Sequence, residues 1–165
     1  MGTLTQPGVA AQFPMVGRWS VTGIPQGWIY VAGFGIRQMR MDGGKVAASV
    51  GVGNDKLDAQ DGFAAYVEKQ MKLIAGHFNE AKLAGPQPIS FAGAESAQLL
   101  FVRHKLDEVG TMLHAQTYVQ SGLWLGIITL TTLEDQLKAA RPDYDVFVKG
   151  LRIRSEQAND QGTRA

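Results

Sequence analysis

The sequence predicts an α+β fold built on a central antiparallel sheet, and three observations carry that expectation. Three strand-like runs between residues 97 and 132 follow one another across gaps too short for anything but antiparallel neighbours. An Asp-Gly-Gly turn sits inside a glycine-rich stretch upstream. Two further segments carry apolar residues at helical spacing, and each needs a sheet face on which to bury its stripe.

The elements follow in order. Residues 17 to 22, GRWSVT, alternate as a first strand and end at a Gly-Ile-Pro turn. The stretch VAGFGIRQMRMDGGKVAASVGVG, residues 31 to 53, is not a phosphate loop. Such a loop needs glycines that open a helix, whereas Ile36 to Met39 continue an extended pattern and no Lys-Ser or Lys-Thr pair follows. MDGGK at 41 to 45 instead reads as a hairpin turn joining strands at 28 to 41 and 45 to 53.

Strand alternation puts Val46, Ala48, Val50 and Val52 on one face of the second strand. Ala47, Ser49, Gly51 and Gly53 fall on the other, which is nearly bare. A face stripped of bulk marks close approach of another backbone, a helix, or a bend. Whether such a helix is the chain's own or belongs to a partner stays open at this point.

After the polar NDKLDAQDGF, the residues Phe63, Val67, Met71, Ile74 and Phe78 recur at three- and four-residue spacing, so a helix begins near Asp61. The Pro-rich AKLAGPQPISF leads into a strand edge. AQLLFVRHKL, TMLHAQTYVQ and LWLGIITLTT then form a meander, separated by DEVG and SG. Thr132 reads as the cap of a helix starting at Leu133, with Glu134 and Asp135 in its first turn. Pro142 reads as interrupting or restarting that helix, and Val146, Phe147, Val148 and Leu151 supply its second apolar stretch. One domain therefore spans 17–153, preceded by an extension, 1–16, and followed by a polar tail, 154–165.

Composition excludes several function classes. With 165 residues, 45% apolar and 19% charged, the chain suits one ordinary globular domain. A net charge of +1 and the lack of any basic run give no field for nucleic acid. Without cysteine there is no disulfide framework, thiolate metal site or thiol nucleophile. LWLGIITL, at 123 to 130, is far too short to cross a bilayer, so no membrane insertion is expected. The first residues lack the basic start and continuous apolar stretch of a secretory signal, with a removed signal or lipid anchor left open.

No catalytic constellation stands out. The three histidines, His77, His104 and His114, show no zinc-site spacing, so no metal and no cofactor are expected. His114 lies in an alternating strand, where a satisfied sheet histidine outweighs a catalytic one. No Gly-x-Ser-x-Gly turn exposes a serine. Asp143 and Asp145 fall on different faces of a helix, which argues against an acid/base pair. Trp19, Trp28 and Trp124 are not interleaved with arginines as a base-stacking platform requires, and read as core.

Taken together, the start W-x-V-x-x-I-P-x-G-W, the glycine-rich hairpin, the helix FAAYVEKQMKLI, the Gly-Ala turn and the close IITLTTLEDQLKAARPDYDVFVKGLRI resemble the Mog/PsbP/DcrB-like family over residues 17 to 153. The resemblance implies an α/β/α sandwich with helices on a mostly antiparallel sheet, and a binding protein rather than an enzyme. Within that family, AYVEKQMKL at 65 to 73 and LHAQTYVQSGLWLGIITLTT at 113 to 132 are most similar to Eag-type chaperones of type VI secretion, which hold the transmembrane segments of effectors before export. By position, Gln70 and Gln116 are similar to the polar groups such chaperones use in an apolar groove.

The resemblance thus implies a cytoplasmic chaperone whose partner is a hydrophobic helix of a client, with a homodimer open and no nucleic acid. Its expected client-binding residues are Ala47, Ser49, Gly51, Gln70 and Gln116. Small residues suit that task because they allow close backbone approach to a helix. The other reading is a ligand-binding or accessory envelope protein of the same fold, periplasmic if a signal has been removed.

Overall fold

The computed structural model describes residues 13–14, 17–31, 35–38 and 47–154. The strands are β1 (Phe13–Pro14), β2 (Trp19–Val21), β3 (Trp28–Val31), β4 (Gly35–Gln38) and β5 (Ser49–Lys56). Helix α1 (Gly62–His77) follows, then β6 (Lys82–Ile89), β7 (Ser96–Leu106), β8 (Gly110–Ser121) and β9 (Trp124–Leu133). A short 3-10 turn, Glu134–Gln136, leads into α2 (Leu137–Gly150) and β10 (Leu151–Ile153).

Seven strands form one antiparallel sheet in the order β3-β4-β5-β9-β8-β7-β6, and a small second sheet runs β1-β2-β10. This is an α+β fold with a large antiparallel sheet between two helices. The meander β7-β8-β9 pairs throughout its length, because the turns at 107–109 and 122–123 leave no slack for another arrangement. In the second turn Gly122 supplies a φ of +60°.

The two helices bury different stripes. Helix α1 lays Phe63, Val67, Met71, Ile74 and its C-cap Phe78 on Leu100, Val102 and Tyr118. On the opposite face, Ala140 and Phe147 of α2 join Val50, Val52, Ile128 and Leu130, and Trp19, Val21 and Leu151 of the small sheet complete that core. Each helix covers only part of its face, and the parts lie at diagonal ends. Helix α1 sits over β6, β7 and β8, whereas α2 sits over β9.

Four local expectations change. The single strand at 28 to 41 is two strands, β3 and β4, which pair from Trp28↔Gln38 to Val31↔Gly35. The chain therefore reverses between Val31 and Gly35 rather than continuing as one strand. Gly35 also has a φ of +151° and a Cβ there would collide with the carbonyl of Val50, so only glycine fits. Strand β4 pairs with β5, while the MDGGK turn and Val46 lie outside the described residues.

Thr132 does not cap a helix. Strand β9 continues through Leu133, which is buried, and the Thr132 hydroxyl donates to the Leu133 carbonyl. Pro142 lies inside an uninterrupted α2. Its missing N–H removes one bond of the ladder, yet continuing the helix buries Phe147 completely. Val146, expected in the apolar stretch, is 61% exposed.

Candidate functional site

Register places most of the expected site residues on one face. Ser49 pairs with Thr131 and Thr131 with His114, so these three form one row across β5, β9 and β8. Gly51, Thr129 and Gln116 form the next row, and Gly53, Ile127 and Tyr118 the third. Cross-strand partners point the same way, so Ser49, Gly51 and Gln116 share a surface. Ala47 lies two residues before β5, outside the paired register, and is half-buried.

This is the face that carries α1, yet no β5 side chain enters the apolar cluster beneath that helix among the described residues. A Cβ at Gly53 would have no neighbouring atom within 4 Å among them either. The face thus has two parts: its β7–β8 end, together with Ile127 of β9, lies under α1, and Ser49, Gly51, Thr129 and Thr131 form a half-buried strip of small and hydroxyl residues on β5 and β9.

Gln70 lies on α1. It stands one turn after Tyr66 and one before Ile74 and is half-buried. Tyr66 reaches toward β5, donating to Asp55 Oδ2 at 2.8 Å, and meets the Tyr118 ring edge-on at 6.3 Å. Burial, reinforced by the Asp55 carboxylate, raises the Tyr66 phenol well above its ordinary value. Burial also pushes Tyr118 up to about 12, and its neutral hydroxyl donates to Gln116 Oε1. That bond holds one amide oxygen of Gln116, whose NH₂ group keeps its two donors.

At one end of the strip the side chains form an ordered polar stack. The Nε2 atoms of His104 and His114 are 2.9 Å apart, and His114 Nδ1 lies 3.0 Å from Thr131 Oγ1. The two imidazoles are parallel within 5°, and Phe78 stacks on His104 at 4.2 Å. Burial, and next the neighbouring His104, lowers the His114 pKa. A neutral pair satisfies this geometry with one N–H donating to one lone pair. Among the described residues no group of three or more His, Asp or Glu could hold a metal ion.

The remaining candidates fall elsewhere. Asp143 accepts from Trp28 Nε1 at 2.9 Å, and Asp145 faces Arg141 at 4.0 Å. Trp19 and Trp28 are buried, and Trp124 packs edge-on against Trp19 at 5.2 Å. Sequence reasoning did not identify Thr129, Thr131 or the histidine pair. The two threonines were legible, since GIITLTT alternates Ile127, Thr129, Thr131 against Ile128, Leu130, Thr132. The histidine pair required the β7–β8 register.

No protein-family model matches the chain. No curated protein matches it either. Solved structures do. A Pseudomonas aeruginosa protein of unknown function is 24% identical, covers 63% of this chain and 71% of its own, and has a TM-score of 0.55. LpqN from Mycobacterium tuberculosis, involved in cell envelope biogenesis, is 15% identical over 83% of each chain with a TM-score of 0.61. The PsbP of the cyanobacterium Synechocystis sp. PCC 6803 is 14% identical over 93% of this chain and 98% of its own, with a TM-score of 0.56. At these identities the likeness establishes a shared PsbP-like fold and nothing finer.

Proposed function

We propose that the chain is a non-enzymatic chaperone or adaptor that holds a hydrophobic helix of a client along the β5–β9 strip. The client class suggested by the sequence resemblance is the transmembrane segment of a type VI secretion effector, bound in the cytoplasm before export. One observation carries the reading: Ser49, Gly51 and Gly53 lie on the face that carries α1, and among the described residues no β5 side chain joins the apolar cluster beneath that helix. A helix backbone can approach such a strip closely, gaining dispersion and weak Cα–H contacts. Ala47, two residues before β5, adds a further small residue, and Gln70, Gln116, Thr129 and Thr131 supply donors and acceptors to the client's own small polar residues.

Co-expression with the N-terminal transmembrane segments of an effector encoded beside the native gene tests this. A stable complex and soluble client are expected, and failure to form any complex removes the proposal. Light scattering of the same samples reports whether a second copy of the chain takes part.

A second reading, an accessory or ligand-binding protein of the cell envelope, draws on the fold shared with LpqN. It requires export. A signal segment or lipid-attachment cysteine encoded upstream of Met1 in the native gene would favour it, and fractionation of the full-length native product to the cytoplasm would remove it. No described helix is long and apolar enough to cross a membrane, which fits both readings.

A further inference from the structure

Because α2 covers only the β9 side of its face, the other end of that face is hollow. A cavity of about 450 Å³ opens there between α2 and the segment after β6. Its floor is Leu99 and Phe101 of β7, Leu113 and Ala115 of β8, and Leu130 of β9. Tyr144 and Val148 form one wall and Ile89 and Phe91 the other. Two polar residues of the lining, Thr117 and Tyr144, have their oxygens 3.4 Å apart. The size falls within the range of small-molecule pockets, about 300 to 1,000 Å³.

The rim has a different character. Lys82 and Arg103 are directly opposite each other on β6 and β7, a like-charge cross-strand pair that costs stability unless an anion lies nearby. Arg141 of α2 joins them at the cavity, against a single lining carboxylate, Asp145. Glu134 takes Arg103 at 3.0 Å, and Arg141 holds Asp145 only at 4.0 Å. Lys82 has no ion-pair partner among the described residues. An apolar interior under a cationic mouth is complementary to one chemical form, a hydrocarbon chain ending in an anion.

We infer that this cavity binds a single-chain amphiphile, its acyl chain on Phe101 and Leu130 and its carboxylate or phosphate head at Lys82 and Arg141. The inference concerns the face opposite the β5–β9 strip and holds whichever functional reading does.

The test uses the full chain and a fluorescent conjugated polyene fatty acid as probe, displaced by palmitate, by hexadecanol or by inorganic phosphate. Saturable probe binding is expected, with palmitate displacing it at about tenfold lower concentration than hexadecanol, and phosphate alone ineffective. The exposed double variant Lys82→Glu/Arg141→Glu should weaken palmitate about tenfold and leave hexadecanol unchanged. Ala84→Trp, on an exposed residue of the lining, should block both chains without disturbing the core. No saturable probe binding by the parent chain, equal displacement by acid and alcohol, displacement by phosphate alone, or unaltered binding in either variant would each overturn the inference.

Discussion

His104 and His114 bring their Nε2 atoms to 2.9 Å of each other, their rings parallel and stacked under Phe78 at the end of α1. Because burial lowers the His114 pKa, the unfolded chain binds a proton more readily than the folded one below about pH 6.5. Stability is therefore full above that pH and falls as the pH drops toward the depressed folded value. Melting temperature measured from pH 8 to pH 5 should decline on the acid side, and His114→Gln should flatten that slope. An unchanged slope in the variant would remove His114 as its source.

Gly126→Ala should destabilise the protein by about 1 to 3 kcal/mol, the usual cost of overpacking. A Cβ there would collide with the Trp19 indole, which is fully buried and donates to the Gly53 carbonyl at 2.9 Å. Thermal melts read this directly. A neutral outcome would mean that the small sheet shifts at little cost.

Gly53→Leu should behave in the opposite way. No described atom lies within 4 Å of its Cβ, so the melting temperature should hold within a few degrees while client capture in co-expression is lost. Gly51→Leu, one row along, is expected to act in the same way. A large drop in melting temperature would show that the chain's own atoms fill the strip, and would sink the helix-binding proposal there.

Phe147→Ala should cost about 3 to 5 kcal/mol, since a fully buried ring at the α2 contact leaves a cavity. Denaturant unfolding checks the size. A loss below about 1 kcal/mol would mean that α2 contributes little to holding the two sheets together.

The meander and α1 were legible in the sequence because both rest on local signals. DEVG and SG dictate antiparallel neighbours, and Phe63, Val67, Met71 and Ile74 mark one helix face. The β3–β4 reversal was not, because the nearby MDGG carries the stronger local turn signal and drew the reversal away from Gly33 and Gly35. Pairing of β2 with β10 lay beyond local periodicity altogether, since its partners are over a hundred positions apart.

Ser49, Gly51 and Gln116 were placed on a common surface only once the order β5-β9-β8 was known, although the bareness of their strand could be read from alternation alone. The histidine pair hid for a related reason. His104 faces Met112 in register, so it meets His114 diagonally, two residues further on, and that neighbour emerges only when Leu106↔Gly110 fixes the turn.

The pairing of β2 with β10 has a further consequence while the chain is being made. Trp19 leaves the ribosome well ahead of its strand partner Ile153 and of the Arg154 amide, which donates to Arg18 O at 2.7 Å. At synthesis rates of about 5 to 20 residues per second, the nascent β2 waits on the order of ten seconds with that edge unpaired. During that interval Trp19 and Val21, later wholly enclosed, have no lid from Leu151, so the nascent β2 is open to mispairing along that edge.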